Sequence, residues 1–458
     1  MPVVPSMSKL NAASVDILNA IRNSASTNYK DYVPVAVDAD SVRTIGAVIM
    51  LYPALQNEFL NALVNRIGKV IIESKTYENP WAVFKRGTLE MGETIEDVFV
   101  NIARPFQFDP ATAATNVFAR QIPDVRAAFH VVNWQKFYKQ TVSREQLQHA
   151  FLAIEGVTDL ISQIIKAMYT GLNYDEFLTM KYLIARNILN GQLTPITVPT
   201  VTTANMKPIV STIKATSNAM EFLGTNYNLA GVSNSSTKDE QYIITTAEFD
   251  AVMDVEVLAA AFNMDKADFM GHRIMVDSFG ELDTERLAKL FENDSTYTPL
   301  TSAQITALKA IPAVLVDKQW FVIFDNLLQM EEQHNSEGLY WNYFLHAWKT
   351  FSASPFANAA VFVPGTPSIT SVTVAPSAVT VTAGQSVTFT ATVATANFAP
   401  QSVTWSAQYP NDVIIDAHGV VTVKSTASHA SNKITATSTY DSTKSAYGTI
   451  TVSGVSNN

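Results

Sequence analysis

The sequence predicts an α+β body followed by a separate all-β domain at its C-terminal end. Residues 143–190 carry apolar side chains at the spacing of one helix face, which predicts a helical block. Short runs of β-forming residues occur elsewhere in the body, without the alternation of strand and helix that builds parallel sheets. From residue 367 onward, Ser and Thr alternate with apolar residues, which is typical of half-buried strands.

Glycines divide the helical block. We predict that Gly156 and Gly171 separate three helices and that the third ends before Gly191. Strands are predicted at five places in the body, where β-branched and aromatic residues cluster: 70–75, 243–245, 274–276, 313–316 and 320–324.

The C-terminal stretch predicts an antiparallel sandwich. Residues 387–393 alternate apolar and hydroxyl side chains over seven positions. Similar shorter runs occur at 379–381, 403–405, 421–423, 434–436 and 450–452, and turn residues such as Gly384 and Gly419 separate several of them. The segment Pro364-Gly-Thr-Pro367 marks the boundary with the body. We therefore predict a separate β-domain over residues 367–458.

Composition excludes several classes of protein. The chain has 458 residues with 31 Lys and Arg against 41 Asp and Glu, a net charge of −10 that lies wholly in the first 365 residues. This balance provides no overall basic face for sequence-independent binding of nucleic acid. Cysteine is absent, which excludes disulfides, thiolate nucleophiles, cysteine zinc sites and iron–sulfur clusters. The sequence shows neither a secretion signal nor an apolar run long enough to cross a membrane.

No catalytic, metal or cofactor site is predicted. Phosphate-binding glycine loops, nucleophile elbows and zinc-protease motifs are missing from the sequence. Glu331, Glu332 and His334 come nearest to a metal cluster, but a solvated turn is the better interpretation. A glycosidase would need two carboxylates flanking one bond, and neighbouring acids are too common to indicate one: Glu90 with Glu93, and Glu96 with Asp97.

The segment 79–110 permits two interpretations, a long surface hairpin or an arm that reaches over a neighbouring molecule. It is rich in β-formers and carries both signs of charge, and an isolated two-stranded hairpin is barely stable. Basic residues on one arm and acids on the other suit charge-paired overlap with a neighbour: Lys85 and Arg86, against Glu90, Glu93, Glu96 and Asp97.

Residues 338–348 contain five aromatic side chains: Tyr340, Trp341, Tyr343, Phe344 and Trp348. Such a stripe could stack nucleobases or sugars. Few basic residues surround it, so we favour packing in a core or in a subunit interface.

The body resembles the major capsid proteins of small podophages of the phi-twenty-nine group, which have the Hong Kong 97-like fold. The stretches that carry the resemblance keep the family's order along the chain: 16–23, 79–138, 254–275, 313–321, 325–327 and 338–343. The tail resembles a bacterial immunoglobulin-like domain of group 2, in which Phe389 and Trp405 would form the core.

The resemblance implies how the chain is divided. Residues 1–45 would be an N-terminal arm and residues 46–365 the capsid body, followed by the immunoglobulin-like domain at 367–458. Within the body it implies an extended loop (E-loop) at about 75–110, peripheral-domain helices at about 143–190 and an axial domain at about 205–330. Residues 281 to about 310 depart from the family and suggest an insertion with a helix or two. A covalent crosslink between Lys85 and Asn358, of a kind found in the wider fold, is not favoured.

The function implied is that of a structural protein, not an enzyme. Pentamers and hexamers would form an icosahedral or prolate head shell in the virion, assembled in the cytoplasm of a host bacterium. The implied partners are further copies of the chain, a scaffolding protein, a portal protein, packaged double-stranded DNA without specific binding, and a head fibre or decoration protein. Cofactors and membranes have no part in this role. The alternative is an adhesin that binds a surface or polysaccharide through the immunoglobulin-like domain.

Overall fold

The structure is a computed structural model that describes residues 14–60, 62, 77–89, 94–107, 119–144, 156–256, 272–295 and 297–453. The described helices whose bounds are defined are α1 (Ser14–Ser24), α2 (Thr27–Tyr32), α3 (Ala39–Leu51), α4 (Gly156–Leu189), α5 (Met206–Ala219), α6 (Ala247–Glu256), α7 (Thr284–Leu290) and α8 (Ser302–Lys309).

Strands in the first 364 residues are β1 (Lys85–Thr88), β2 (Ile95–Val100), β3 (Val125–His130), β4 (Trp134–Ser143), β5 (Thr194–Val198), β6 (Gln241–Thr246), β7 (His272–Val276), β8 (Ala313–Asp317), β9 (Phe321–Asn335), β10 (Tyr340–Ala353) and β11 (Ala359–Pro364). The C-terminal strands are β12 (Ser368–Ala375), β13 (Ala378–Thr382), β14 (Ser386–Thr388), β15 (Thr390–Ala396), β16 (Val403–Ala407), β17 (Val413–Ile415), β18 (Val420–Val423), β19 (Ser431–Ser438) and β20 (Ser445–Ser453).

The chain forms two compact units. The first comprises residues 1–93, 132–177 and 324–350, and the second residues 94–131, 178–323 and 351–458. The first unit contains a sheet of order β1-β9-β10-β4, and Arg144, directly after β4, donates to the carbonyl of Met50 in α3 at 2.7 Å. The helix α3 begins with a capping box, in which Asp38 and Ser41 each accept a hydrogen bond from the other's backbone amide.

The second unit is built on a sheet of order β5-β11-β8-β6-β7. The side chains of β6 and β8 are buried throughout, as expected for strands covered on both faces. Helices α5 and α6 supply Ile209, Ile213 and Phe249 to a core shared with Leu315 and Phe362 of the sheet. The strand predictions at 243–245, 274–276 and 313–316 are confirmed. Trp320 ends a short 3-10 turn, and the strand predicted from it begins at Phe321. The strand predicted at 70–75 lies outside the described residues.

The prediction that Gly171 ends a helix is wrong, because α4 continues through it from Gly156 to Leu189. Glycine inside a helix costs about 1 kcal/mol relative to alanine. The flanking side chains Met168 and Leu172 are buried, and their burial offsets this cost. Tertiary packing therefore decides the helix length here.

The insertion expected at 281–310 forms α7 and α8, and its described part packs against α4. Tyr182 lies within 5.8 Å of the ring of Phe291 and 5.5 Å of Tyr297, measured between centroids. The fully buried Lys181 donates to Asp277 and to the carbonyl of Glu281, at the start of the insertion.

The C-terminal strands form a sandwich around Phe389, whose side chain is completely buried. One sheet has the order β13-β20-β19-β16 and the other β14-β18-β17, with β12 and β15 as a further pair. The single strand predicted at 387–393 is divided at Phe389 into β14 and β15. The Phe389 amide donates to the carbonyl of Gly419 at 2.8 Å, outside either strand ladder, while its ring fills the core.

Candidate functional site

A two-stranded hairpin of the second unit presents an exposed apolar face. Strands β2 and β3 are antiparallel, with Val98 opposite Ala127 and Val100 opposite Val125. Opposed residues of such a pair point to the same side of the sheet. On this side Val98, Val100, Val125 and Phe129 are 48, 59, 52 and 67% exposed, and the exposed Glu96 lies opposite Phe129 at one end. We call these four side chains the outward face of the hairpin.

The opposite side of the hairpin contacts its own unit. Phe99 stacks on Phe356 with 5.8 Å between ring centroids. Ser354 Oγ donates to Asp97 Oδ2 at 2.5 Å, and His130 Nδ1 lies 2.7 Å from Ser352 Oγ. These contacts cover the inner side of the hairpin, whereas the outward face is exposed.

The segments next to the two strands extend the apolar character of this surface. Ile102, Phe106 and Ile122 are 59, 74 and 82% exposed. Exposed apolar residues are ordinary when scattered singly, whereas a group of them marks an interaction surface. The hairpin and its flanks together therefore form the candidate functional site.

Charged groups form a second arrangement, in the first unit. Lys349 Nζ donates to both Glu176 Oε2 and Asp325 Oδ1. Lys85 Nζ lies 2.6 Å from Asp325 Oδ2 and 3.2 Å from Glu176 Oε2, and Asn79 Nδ2 donates to Glu176 Oε1 at 2.7 Å. We call Lys85, Glu176, Asp325 and Lys349 the charge cluster. It joins the strands β1, β9 and β10 to the helix α4.

The cluster shifts the pKa values of its members. Burial alone would raise the pKa of Asp325, but the Lys349 and Lys85 ammonium groups outweigh it and hold that pKa below its usual value. Burial would lower the pKa of Lys85, and the carboxylates of Glu176 and Asp325 reverse this effect, so that the pKa is raised. Both shifts favour the charged forms of Lys85 and Asp325.

The structure separates the charged residues singled out in the segment 79–110. The strand β1 pairs with β9, while β2 pairs with β3, so the two arms of that segment do not form one hairpin. Lys85 bonds within the charge cluster instead of facing hairpin acids. Arg86 and Glu96 are exposed, and Asp97 is half-buried. Glu90 and Glu93 lie outside the described residues.

The aromatic segment lies in β10 and divides by strand alternation. Trp341 and Tyr343 are buried, whereas Tyr340, Phe344 and Trp348 are half-buried on the opposite side of the strand. In the C-terminal sandwich, Phe389 and Trp405 pack together with 6.5 Å between ring centroids. Asn358 is buried and donates to Ser236 Oγ at 3.1 Å, so its side chain is already bonded within its own unit.

The described ranges contain no candidate metal site. Among those residues, no three or more His, Asp and Glu side chains are placed to hold one ion. Glu331 accepts a hydrogen bond from Gln329 at 2.9 Å, while the ring of His334 packs against Trp341. Nor does any helix in the described part of the chain have the length and hydropathy needed to cross a membrane.

Sequence reasoning missed the outward face and the charge cluster. The apolar residues Val98 and Val100 in β2, and Val125 and Phe129 in β3, indicate a common face only once the two strands are known to pair. Glu176 falls within the predicted helical block, but nothing near it in the sequence indicates that its side chain is only 2% exposed.

Comparisons with known proteins match this chain to phage capsid proteins. Residues 18–363 match the family described as Phi29-like phage major capsid protein. The major capsid protein of Bacillus phage B103 is 38% identical over 435 residues, which cover 93% of this chain and 90% of that protein. The major capsid protein of Bacillus phage PZA is 36% identical over 400 residues, covering 86% and 83%.

Solved structures show the same fold at low sequence identity. A chain in the capsid structure of Staphylococcus phage Andhra superposes with a TM-score of 0.51 at 14% identity, covering 64% of this chain and 86% of that one. A chain in a structure of bacteriophage P68 gives a TM-score of 0.50 with the same identity and coverage. The body thus has the Hong Kong 97-like capsid fold. The chain belongs to the family of Phi29-like phage major capsid proteins, which form the capsid shell of the virion.

Proposed function

We propose that the chain assembles as pentamers and hexamers into an icosahedral or prolate head shell around packaged double-stranded DNA, and that the outward face of the hairpin contacts a neighbouring copy. The observation that carries this proposal is the exposure of four apolar side chains on one side of β2–β3. Exposure of these side chains to water is unfavourable for an isolated chain, and their burial against a neighbouring copy stabilises an assembly.

Burial of the apolar side chains contributes more free energy to the proposed contact than the ion pairs nearby. Fully burying a valine or phenylalanine side chain contributes about 1.5–3 kcal/mol. A surface ion pair contributes about 0–1 kcal/mol, so pairs made by Arg86, Glu96 or their acidic neighbours serve mainly to select the register of the contact. Because closed symmetry repeats each interface around the shell, a modest contact suffices. Lys85 has its partners within the charge cluster and is not part of this contact.

The parts of the chain take the roles that the family suggests. Residues 1–45 are the N-terminal arm and 46–365 the capsid body, with the E-loop at about 75–110, peripheral helices at about 143–190 and the axial domain at about 205–330. Residues 125–129 of β3 carry half of the outward face, so they contact the neighbouring copy together with the E-loop. Residues 367–458 are the immunoglobulin-like domain. Assembly involves a scaffolding protein and a portal protein, and the finished shell accepts a head fibre or decoration protein.

Packaged DNA is enclosed without specific binding. The body carries the whole net charge of −10, and a wall of like charge repels the DNA phosphates. A shell subunit works through repeated contacts and needs no catalytic centre, which fits membership of a structural family. The capsid relatives give no support to the adhesin alternative.

The test is an acidic substitution in the outward face. Phe129→Glu places a charge where an apolar contact is proposed, and we expect closed shells to be lost while circular dichroism shows a folded chain. Ile414→Glu is the matched control, because Ile414 is a strand residue of similar exposure, 60%, in the C-terminal sandwich. Shells formed equally well by both variants would contradict the proposed contact.

A further inference from the structure

The C-terminal sandwich contacts the body where the long helix α4 ends. Only residues 365–367 separate β11, the last strand of the body sheet, from β12 of the sandwich. β11 pairs with β5, which begins three residues beyond Gly191. The end of α4 and the start of the sandwich are therefore joined through two adjacent strands.

A carbonyl group at the end of α4 accepts a hydrogen bond from the sandwich. Gly191 reverses the chain with a φ of +64°, and its amide donates to the carbonyl of Ile188 at 3.0 Å. The last carbonyls of a helix have no partner within the helix itself. Gln401 of the sandwich donates from Nε2 to the Leu189 carbonyl at 2.9 Å. A side chain of one domain thus caps the helix of the other.

The backbones also meet closely at this point. A Cβ atom built on Gly191 would lie 2.6 Å from the Ala399 carbonyl oxygen and 2.8 Å from Pro400 Cα. Any side chain at position 191 would therefore force the loop of the sandwich away from the helix end. Glycine is needed here for the close approach as well as for its φ.

The loop that makes this contact has a strained backbone. Asn397 and Phe398 are consecutive non-glycine residues with φ of 52° and 60°. Such conformations persist where the surrounding contacts determine them. Asn397 Nδ2 donates to the Thr366 carbonyl at 2.9 Å, and Ala399 is fully buried, so the loop is held from both sides.

We propose that the C-terminal sandwich is a fixed brace for the end of α4, docked through residues 397–401, and not a domain that swings on a tether. Its position on the shell is then set by the body, and its loss loosens the end of the long helix. This role is structural, and it holds for the single chain whether or not the outward face of the hairpin makes the contact proposed above.

The test compares two glycines in the full-length chain. Gly191→Ala introduces the collision described above. Gly231→Ala is the matched control, because Gly231 has nearly the same φ, +62°, with no atom within 4 Å of the added Cβ. Hydrogen exchange at residues 187–192 and cleavage at 364–367 by a protease are measured for both. We expect Gly191→Ala to speed exchange and cleavage at least tenfold relative to Gly231→Ala.

A milder variant keeps the test decisive if Gly191→Ala fails to fold. Gln401→Ala removes the cap without any collision and should speed exchange at residues 187–192 by about threefold or more. Gln408→Ala is its control, an exposed glutamine of the same domain whose amide lies 3.4 Å from the hydroxyl of the adjacent Tyr409. Exchange and cleavage equal to those of the controls in both tested variants would overturn the brace. So would wild-type cleavage at 364–367 as fast as that of an unfolded peptide.

Discussion

Lys85 Nζ lies 2.6 Å from Asp325 Oδ2, and this pair fastens the short strand β1 to the long strand β9. With Glu176 and Lys349 the pair forms the charge cluster, in which two positive and two negative charges balance. A buried ion pair adds little net stability compared with apolar packing, but removing one partner leaves an uncompensated charge. The cluster therefore holds the base of the segment 79–110 in a defined register.

Substituting Asp325 by Asn should lower the free energy of unfolding by about 1–3 kcal/mol at pH 7, because both lysines lose a charged partner. The pKa of Asp325 is lowered in the folded chain. Its carboxylate therefore contributes stability above the usual aspartate pKa of about 3.9, and this stability is lost as the pH falls through the lower folded value. The difference between wild type and variant should accordingly shrink in acid.

The measurement is urea unfolding of both chains between pH 2 and pH 8. Glu331→Gln serves as the control, since Glu331 is an exposed acid of the same strand. A difference for Asp325→Asn that stays constant down to pH 2 would show that the carboxylate charge does not contribute in this way.

The alternation along β10 predicts unequal effects of two aromatic substitutions. Trp341→Ala empties a buried site and should cost about 3–5 kcal/mol of unfolding free energy. Phe344→Ala should cost about 1 kcal/mol, because Phe344 is half-buried and lies against Phe137 and Lys139 at the surface of the sheet. Thermal unfolding of the two variants measures this difference, and equal losses would contradict the assignment of the two faces.

A glycine pair tests the packing of the C-terminal core. Gly384→Ala should cost about 1–2 kcal/mol, since Gly384 has a φ of +88° and no neighbouring atom within 4 Å of the added Cβ. Gly419→Ala should cost clearly more, because its φ is +82° and the added Cβ would also collide with the Phe389 carbonyl and the Trp405 ring. The melting temperature of each variant is measured by the change in tryptophan fluorescence on heating. Similar melting temperatures for the two variants would count against this packing.

Local patterns in the sequence predicted local structure well. The alternation of Ser and Thr with apolar residues predicted strands that the structure contains, such as β13, β16 and β18. Even there, the burial of Phe389 divided one predicted strand between two sheets. The strand at 313–316 followed in the same way from its β-branched residues.

Relations between distant residues could not be predicted. The residues of β1 do not indicate that it pairs with β9, more than 230 positions later, because strand patterns specify faces and not partners. Glu176 and Lys349 are 173 positions apart, and nothing near either residue shows that they meet. The helix continues through Gly171 for the same reason, since the packing of its neighbours outweighs a local preference.

The most direct test of assembly is electron microscopy in negative stain, supported by sedimentation, of the chain expressed alone and together with the scaffolding protein proposed above. We expect closed shells, or rings of five and six copies, in at least one of the two preparations. A monodisperse monomer or dimer in both would contradict assembly of this chain into a shell.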